Sequence, residues 1–177
     1  MPDLVVTSDQ RICERHLPAV DSGNIRLVYL PLDDPQVLSA WHGEHYVAFS
    51  PSPVYAQLRQ RVQGGMLAAG GSVIHPAVDL AVKMGATQIT LFGVNFAYPM
   101  NKSHAGWDDG ELGAPVDQAR QWVLDGYGQR VKTQFNFRRY LGELERYIQA
   151  HPQVLFSNSS RSGAMISGTT FNEAFTQ

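Results

Sequence analysis

The chain has 177 residues, 44% of them hydrophobic and 17% charged, with 14 Lys and Arg against 16 Asp and Glu for a formal charge of -2. That length fits one domain of ordinary size, and the apolar share is enough for a core, which argues against disorder of the whole chain. The charge balance lacks the cationic footprint that sequence-independent nucleic-acid binding needs, although a local phosphate site stays open. Cys13 is the only cysteine, so no internal disulfide and no cysteine zinc cluster can form, and a reducing compartment fits. Its ordinary reading is a small, inert residue near a helix start. The N-terminus, Met1 to Val6, has neither the charged start nor the long apolar run of a signal peptide. No window approaches the roughly 18 apolar residues of a membrane span. The chain reads as soluble and cytoplasmic, with neither a membrane nor a nucleic-acid partner.

Leu4 to Asp9 is a short apolar run ending in polar residues, read as a buried strand with its functional edge at Ser8 and Asp9. A short helix is expected between Asp9 and Ala19. Ile25 to Leu30 is the second strand, stopped by Pro31, and Asp33-Asp34-Pro35 opens a turn or short helix because Pro suits a first helical position. His45 to Phe49 is the third strand, ended by Ser50-Pro51-Ser52-Pro53. Residues 54–68 read as helix or loop. Val73, Ala77, Leu80, Ala81 and Met84 then fall at helical spacing, with Gly85 as the stop. Pro76 is tolerable only in the first turn, which places the helix start near His75. Gln88 to Val94 is the next strand, followed by a long polar loop from Asn95 to about Ala114. A helix is expected from Pro115, carrying Val116, Ala119, Trp122 and Val123 and ending near Gly126 or Gly128. Thr133 is the expected cap for the most regular helix, whose apolar stripe is Phe137, Tyr140, Leu141, Leu144, Tyr147 and Ile148. Val154 to Asn158 is a last strand, and a Gly/Ser-rich tail follows. Strands alternate with helices, which predicts the α/β class with a mainly parallel sheet in one Rossmann-like domain of three layers over residues 1–177. Because a central parallel strand usually has an element before it, an earlier βα unit is expected upstream of these residues.

In open α/β sheets, ligands bind outside the carboxyl ends of the strands. Four segments collect polar residues there: Ser8 and Asp9, Gly70 to Ser72, Asn95 to His104, and Asn158 to Gly168. Gly70, Gly71 and Ser72 can bring bare backbone N–H groups to an anion at a helix N-terminus, where the dipole adds to the attraction. Their other reading is an ordinary linker or cap. The segment is neither a Walker A loop nor Gly-x-Gly-x-x-Gly. Gly93 permits close approach of a ligand, Asn95 can read a base or ribose edge, and Tyr98 can donate to a phosphate oxygen; alternatively they form a strand end with a capping Asn and packed aromatics. His104, between small polar residues, has the near-neutral pKa of a general base, although a lone loop histidine is more often merely solvated. Lys102 can neutralise a phosphate or simply be a surface lysine. His75 can pack or cap beside the glycine loop. Asp108, Asp109 and Glu111 are hard oxygen ligands for a divalent metal, but read first as a solvated loop, and no metal site is assigned.

Taken together these segments resemble a known family. Gly70 to Ala81 (Gly-Gly-Ser-Val-Ile-His-Pro-Ala-Val-Asp-Leu-Ala), Ile89 to Tyr98 (Ile-Thr-Leu-Phe-Gly-Val-Asn-Phe-Ala-Tyr) and Lys102-Ser103-His104-Ala105 resemble the core of the motility accessory factor (Maf) proteins. These share a superfamily with the archaeal MptE-like 6-hydroxymethylpterin diphosphokinases. Pro2 to Asp9 resembles the family's strand ending in an acidic residue, and Asn158 to Gly168 its Asn-Ala-Thr-x-Gly-Gly-Ala-x-Ile-x-Gly ending. The resemblance therefore runs through nearly the whole chain in order. It implies a fold similar to bacterial sialyltransferases and transfer of a nonulosonic, sialic-acid-like sugar from a CMP donor to flagellin Ser or Thr hydroxyls. By that likeness, Gly71 and Ser72 would hold the donor phosphate or cytidine, Gly93 and Asn95 would face the nucleotide, Tyr98 would stabilise the leaving phosphate, and His104 would deprotonate the acceptor. Three departures stand out. The family's Gly-x-Gly-Pro-Ser-Leu nucleotide loop would precede Met1, Pro76 is unusual in the helix start, and Arg161-Ser162-Gly163 replaces the Gly-Gly pair. No cofactor is fixed by the sequence beyond the expected CMP-sugar. Mg²⁺ enters with the alternative, an ATP-dependent diphosphokinase using Asp9 or Asp108. A non-catalytic remnant or interaction domain is the third reading.

Overall fold

The computed structural model describes residues 1–8, 21–31, 33, 35–102 and 113–172. The expected helix between Asp9 and Ala19 therefore lies outside the described residues, as do Cys13, His104 and the acidic run Asp108 to Glu111. The chain divides into two compact units, Met1–Leu80 and Ala81–Gln177.

The first unit is built on a four-stranded parallel sheet whose strands follow chain order, β1-β2-β3-β4. These are β1 (Leu4–Thr7), β2 (Arg26–Tyr29), β3 (His45–Phe49) and the two-residue β4 (Gly65–Met66). Val5 lies opposite Leu27, and Val6 opposite Val28. The pleat therefore sends Val5 and Leu27 to one face, against Ile25, Leu38 and Trp41. It sends Leu4, Val6 and Val28 to the other, against Ala48, Leu67 and Leu80. Both faces are apolar, as a parallel sheet requires. Parallel neighbours need crossovers. Helix α1 (Pro35–Ala40) joins β2 to β3, and a turn with helix α2 (Ala56–Arg61) joins β3 to β4, which resolves the ambiguous 54–68 stretch. The carboxyl ends of β1 and β2 are stitched by the buried Asp33. Its carboxylate accepts the Thr7 hydroxyl at 3.0 Å and the Leu30 N–H at 3.0 Å. On the exposed side, the Tyr46 hydroxyl and the Arg26 guanidinium both donate to Glu44, at 2.9 and 3.2 Å. The Tyr46 bond is the larger cause holding the Glu44 carboxyl below its ordinary range, with Arg26 second.

Helix α3 (Ile74–Lys83) follows, with Pro76 in its first turn, as expected. Gly85 ends it at φ +94°; the Gly85 N–H donates to Val82 and the Ala86 N–H to Ala81, the pattern a left-handed glycine permits.

The second unit holds a three-stranded parallel sheet, β5 (Gln88–Leu91), β8 (Leu155–Asn158) and β9 (Thr170–Phe171), and an antiparallel hairpin, β6 (Gln121–Leu124) with β7 (Arg130–Thr133). Helix α4 (Phe135–Ala150) buries Leu144 and Ile148 from the expected stripe. The hairpin overturns the helix expected from Pro115. Pro115 precedes only a three-residue 3-10 turn, Val116–Gln118, and the chain then extends. The physical reason is the turn: Asp125 accepts the Tyr127 and Gln129 N–H groups at 2.9 and 2.8 Å, and Gly128 sits at φ +77°. That local closure outweighs a chance helical spacing of four apolar residues. Thr133 is not the cap of α4. It ends β7 fully buried, and its hydroxyl donates to the Phe96 carbonyl at 2.7 Å, while Gln134 precedes the helix with no side-chain cap. The expected class, α/β with mainly parallel sheets, is the one observed. Among the described residues, no helix is long and apolar enough to cross a membrane.

Candidate functional site

The candidate residues fall in two groups, one in each unit. In the first unit all four strands run the same way, so Ser8 and the segment after Met66 leave the sheet at its carboxyl edge. Gly70 is buried under the His75 ring; a Cβ at Gly70 would lie 2.6 Å from a ring carbon. Only glycine fits there. Gly71 follows at φ +93°, a conformation other residues rarely adopt. The Ser72 carbonyl accepts the His75 N–H at 3.1 Å, and the His75 Nδ1 lies 2.9 Å from the same oxygen. One turn further along α3, Asp79 accepts the Ala68 N–H at 2.7 Å. Thus two helix side chains, both buried, brace the loop from Ala68 to Ser72. The loop delivers the chain to the N-terminus of α3, where the His75 N–H is taken by the Ser72 carbonyl, the Ala77 N–H by the Val73 carbonyl, and Pro76 has no N–H. The attraction left there for an anion is chiefly the positive end of the helix dipole. Asp9 lies outside the described residues.

In the second unit, the turn after β5 carries unusual backbone conformations in close succession. Gly93 has φ +67°, Phe96 +45°, Met100 +51° and Asn101 +60°. Non-glycine residues with positive φ persist only where surroundings hold them. Here Thr133 holds the Phe96 carbonyl, and Lys132 accepts the Tyr98 N–H at 2.9 Å, so β7 fixes the turn. Gly93 is exposed with nothing within 4 Å of a notional Cβ, so it is required for its conformation and leaves room beside it. Asn95 is half-buried. Tyr98 is buried, its ring centroid 5.5 Å from that of Phe137 and its hydroxyl donating to the Ala114 carbonyl at 2.8 Å. A phenol has one proton, so donation to a phosphate would require that hydroxyl to exchange partners. Lys102 is exposed.

The segment after β8 joins this turn. The Ser160 hydroxyl donates to Asn95 Oδ1 at 2.8 Å, and the Ala164 N–H to the Asn95 carbonyl at 2.7 Å. Asn158, fully buried, accepts the Ser160 N–H at 3.0 Å. The sequence marked this tail as polar but did not single out Ser160, and it read Thr133 as a helix cap. Both act on partners far away in the chain, which no local pattern records. Among the described residues, no three His, Cys, Asp or Glu side chains gather as metal ligands would.

The family model for 6-hydroxymethylpterin diphosphokinase MptE-like proteins matches residues 1–101 of the 177. The chain belongs to the MptE-like family. The matched residues include the glycine loop, α3, β5 and the Gly93–Tyr98 turn of this MptE-like chain. Its fold is also that of the Maf glycosyltransferase from Magnetospirillum magneticum AMB-1, with a TM-score of 0.72 at 19% identity. That match covers 99% of this chain and 27% of the Maf protein, so the chain spans about a quarter of that relative's length. Comparison with curated protein sequences gives no match.

Proposed function

We propose that this MptE-like chain is the nucleotide-binding part of a cytoplasmic, CMP-sugar-dependent glycosyltransferase of Maf type, which transfers a nonulosonic acid to flagellin Ser or Thr. The observation that carries this reading is the pair of braced backbone devices: the glycine loop at the N-terminus of α3, and the positive-φ turn after β5. Each belongs to the carboxyl ends of parallel strands, where α/β folds take their ligands. The fold shared with a Maf glycosyltransferase over 99% of the chain supports the sugar-transfer version.

In this proposal Ser8, Asp9, Gly70, Gly71 and Ser72 serve the donor phosphate or cytidine, and Lys102 offers positive charge to a phosphate. Gly93 and Asn95 face the nucleotide. His104 takes the proton from the acceptor hydroxyl. The acceptor oxygen bonds to the anomeric carbon of the sugar, the bond from that carbon to the phosphate oxygen breaks, and CMP leaves with the electron pair. Tyr98 would assist the departing phosphate once its hydroxyl exchanges Ala114 for it. Calorimetry with CMP tests the reading: binding is expected, weakened about tenfold by Ser72→Ala or Asn95→Ala through loss of one hydrogen-bonding group.

The family description itself favours a second reading, ATP-dependent transfer of diphosphate to a hydroxymethylpterin, with Mg²⁺ and Asp9 or Asp108 near the phosphates. Thermal stabilisation separates the two. Stabilisation by CMP but not by Mg²⁺ with ATP supports sugar transfer, and the reverse supports the diphosphokinase.

A further inference from the structure

Asn95 is held at several points by the segment after β8. Its N–H donates to the Gly93 carbonyl at 3.1 Å, and its own carbonyl accepts the Ala164 N–H. Gly163 crosses it so closely that a Cβ there would lie 2.7 Å from Asn95 Cα and 2.8 Å from Oδ1. Its side-chain oxygen takes the Ser160 hydroxyl proton at 2.8 Å. Ser160 is fixed in turn. Asn158 Oδ1 accepts the Ser160 N–H, and both the N–H and the hydroxyl of Ser159 donate to the Leu91 carbonyl at 3.0 Å, tying this corner to the end of β5.

A carboxamide offers an acceptor on one side and two donors on the other. With Oδ1 engaged by Ser160, the Nδ2 group is the part of Asn95 left for a ligand; among the described residues no acceptor meets it. We infer that Ser160 is a positioning residue that fixes the Asn95 carboxamide as a donor toward the ligand. The group bound at that point must then present an acceptor: a phosphate or ribose oxygen, or the carbonyl and ring-nitrogen edge of a pyrimidine such as cytosine. The inference rests on the nucleotide reading above and adds the direction of the hydrogen bond and the residue that sets it.

A double-mutant cycle measured by CMP calorimetry tests it. Ser160→Ala frees the carboxamide to turn and is expected to weaken CMP by roughly tenfold. Ser160→Thr keeps the hydroxyl and restores affinity to within about threefold of the parent. Because Ser160 acts through Asn95, adding Ser160→Ala to Asn95→Ala costs nothing more. Asn95→Asp replaces the donor by an acceptor and weakens CMP more than Asn95→Ala does. Additive losses in the cycle, or a Ser160→Ala protein that binds CMP as well as the parent, would overturn the inference while leaving the nucleotide reading standing. A parent protein that does not bind CMP would overturn that reading and this inference with it.

Discussion

Gly93 and Gly70 are both indispensable glycines, for opposite reasons. At Gly93 the constraint is the backbone: φ is +67° and an added methyl would touch nothing. Gly93→Ala is therefore expected to cost about 1–2 kcal/mol of stability, a drop of roughly 2–8 °C in melting temperature by calorimetry. At Gly70 the constraint is the His75 ring, 2.6 Å from a notional Cβ. Gly70→Ala must push that ring off the loop, so the loss should be about 1–3 kcal/mol and should be accompanied by weaker nucleotide binding. Thr133→Val keeps the shape of a fully buried side chain but leaves the strained Phe96 carbonyl without its hydroxyl donor. Urea unfolding should show a loss of about 1–3 kcal/mol. Away from the site, Glu44 has a depressed pKa, so its contribution to stability is present above the ordinary carboxylate range and is lost as pH falls through the depressed value. Tyr46→Phe removes the larger cause and should move the Glu44 titration, followed by NMR, back toward that range. At this scale the sequence marked Gly70, Gly71 and Ser72 by their place before a helix, and Gly93 and Asn95 by their place after a strand. It did not reveal Ser160, whose partner is 65 residues away, or Thr133, whose partner is 37 residues away.

The elements divide by how local their cause is. Strands β1, β2, β3, β5 and β8 were legible because short apolar runs rich in β-branched residues ended at Pro, Gly or polar clusters. Helices α3 and α4 were legible from long apolar periodicity. The β6–β7 hairpin was not, because Val116, Ala119, Trp122 and Val123 happen to fall at helical spacing. The decisive signal was the polar, glycine-containing stretch Asp125-Gly126-Tyr127-Gly128 between two short runs, with the Asp125 carboxylate closing the turn and Gly128 at φ +77°. Asp125 is buried and accepts two backbone N–H groups, so Asp125→Ala should cost about 1–3 kcal/mol. Hydrogen exchange is the sharper check: protection should fall from Trp122 to Lys132 and, because β7 holds the turn after β5, at Tyr98 as well. Exchange unchanged at Tyr98 would separate the hairpin from the turn.

For the whole molecule, membership of the MptE-like family and the Maf-type fold agree with the resemblance carried by the ordered blocks from Pro2 to Gly168. No single block would have sufficed, since a Gly-Gly-Ser loop or a loop histidine is common in unrelated chains. The order of the blocks specified the α/β fold, because the blocks that start at Pro2, Gly70, Ile89 and Asn158 each carry a strand end or a helix start. Chemistry is less legible than fold, since this chain matches the MptE-like diphosphokinase family model and also shares the fold of a protein described as a glycosyltransferase, and one fold can carry different chemistries. The most direct measurement is calorimetric titration of the protein with CMP and, separately, with ATP and Mg²⁺. Sugar transfer from a CMP donor requires CMP to bind, with Ser72→Ala and Asn95→Ala each weakening binding about tenfold. Binding of Mg²⁺ with ATP in the absence of any CMP binding, or CMP binding untouched by both substitutions, would contradict it.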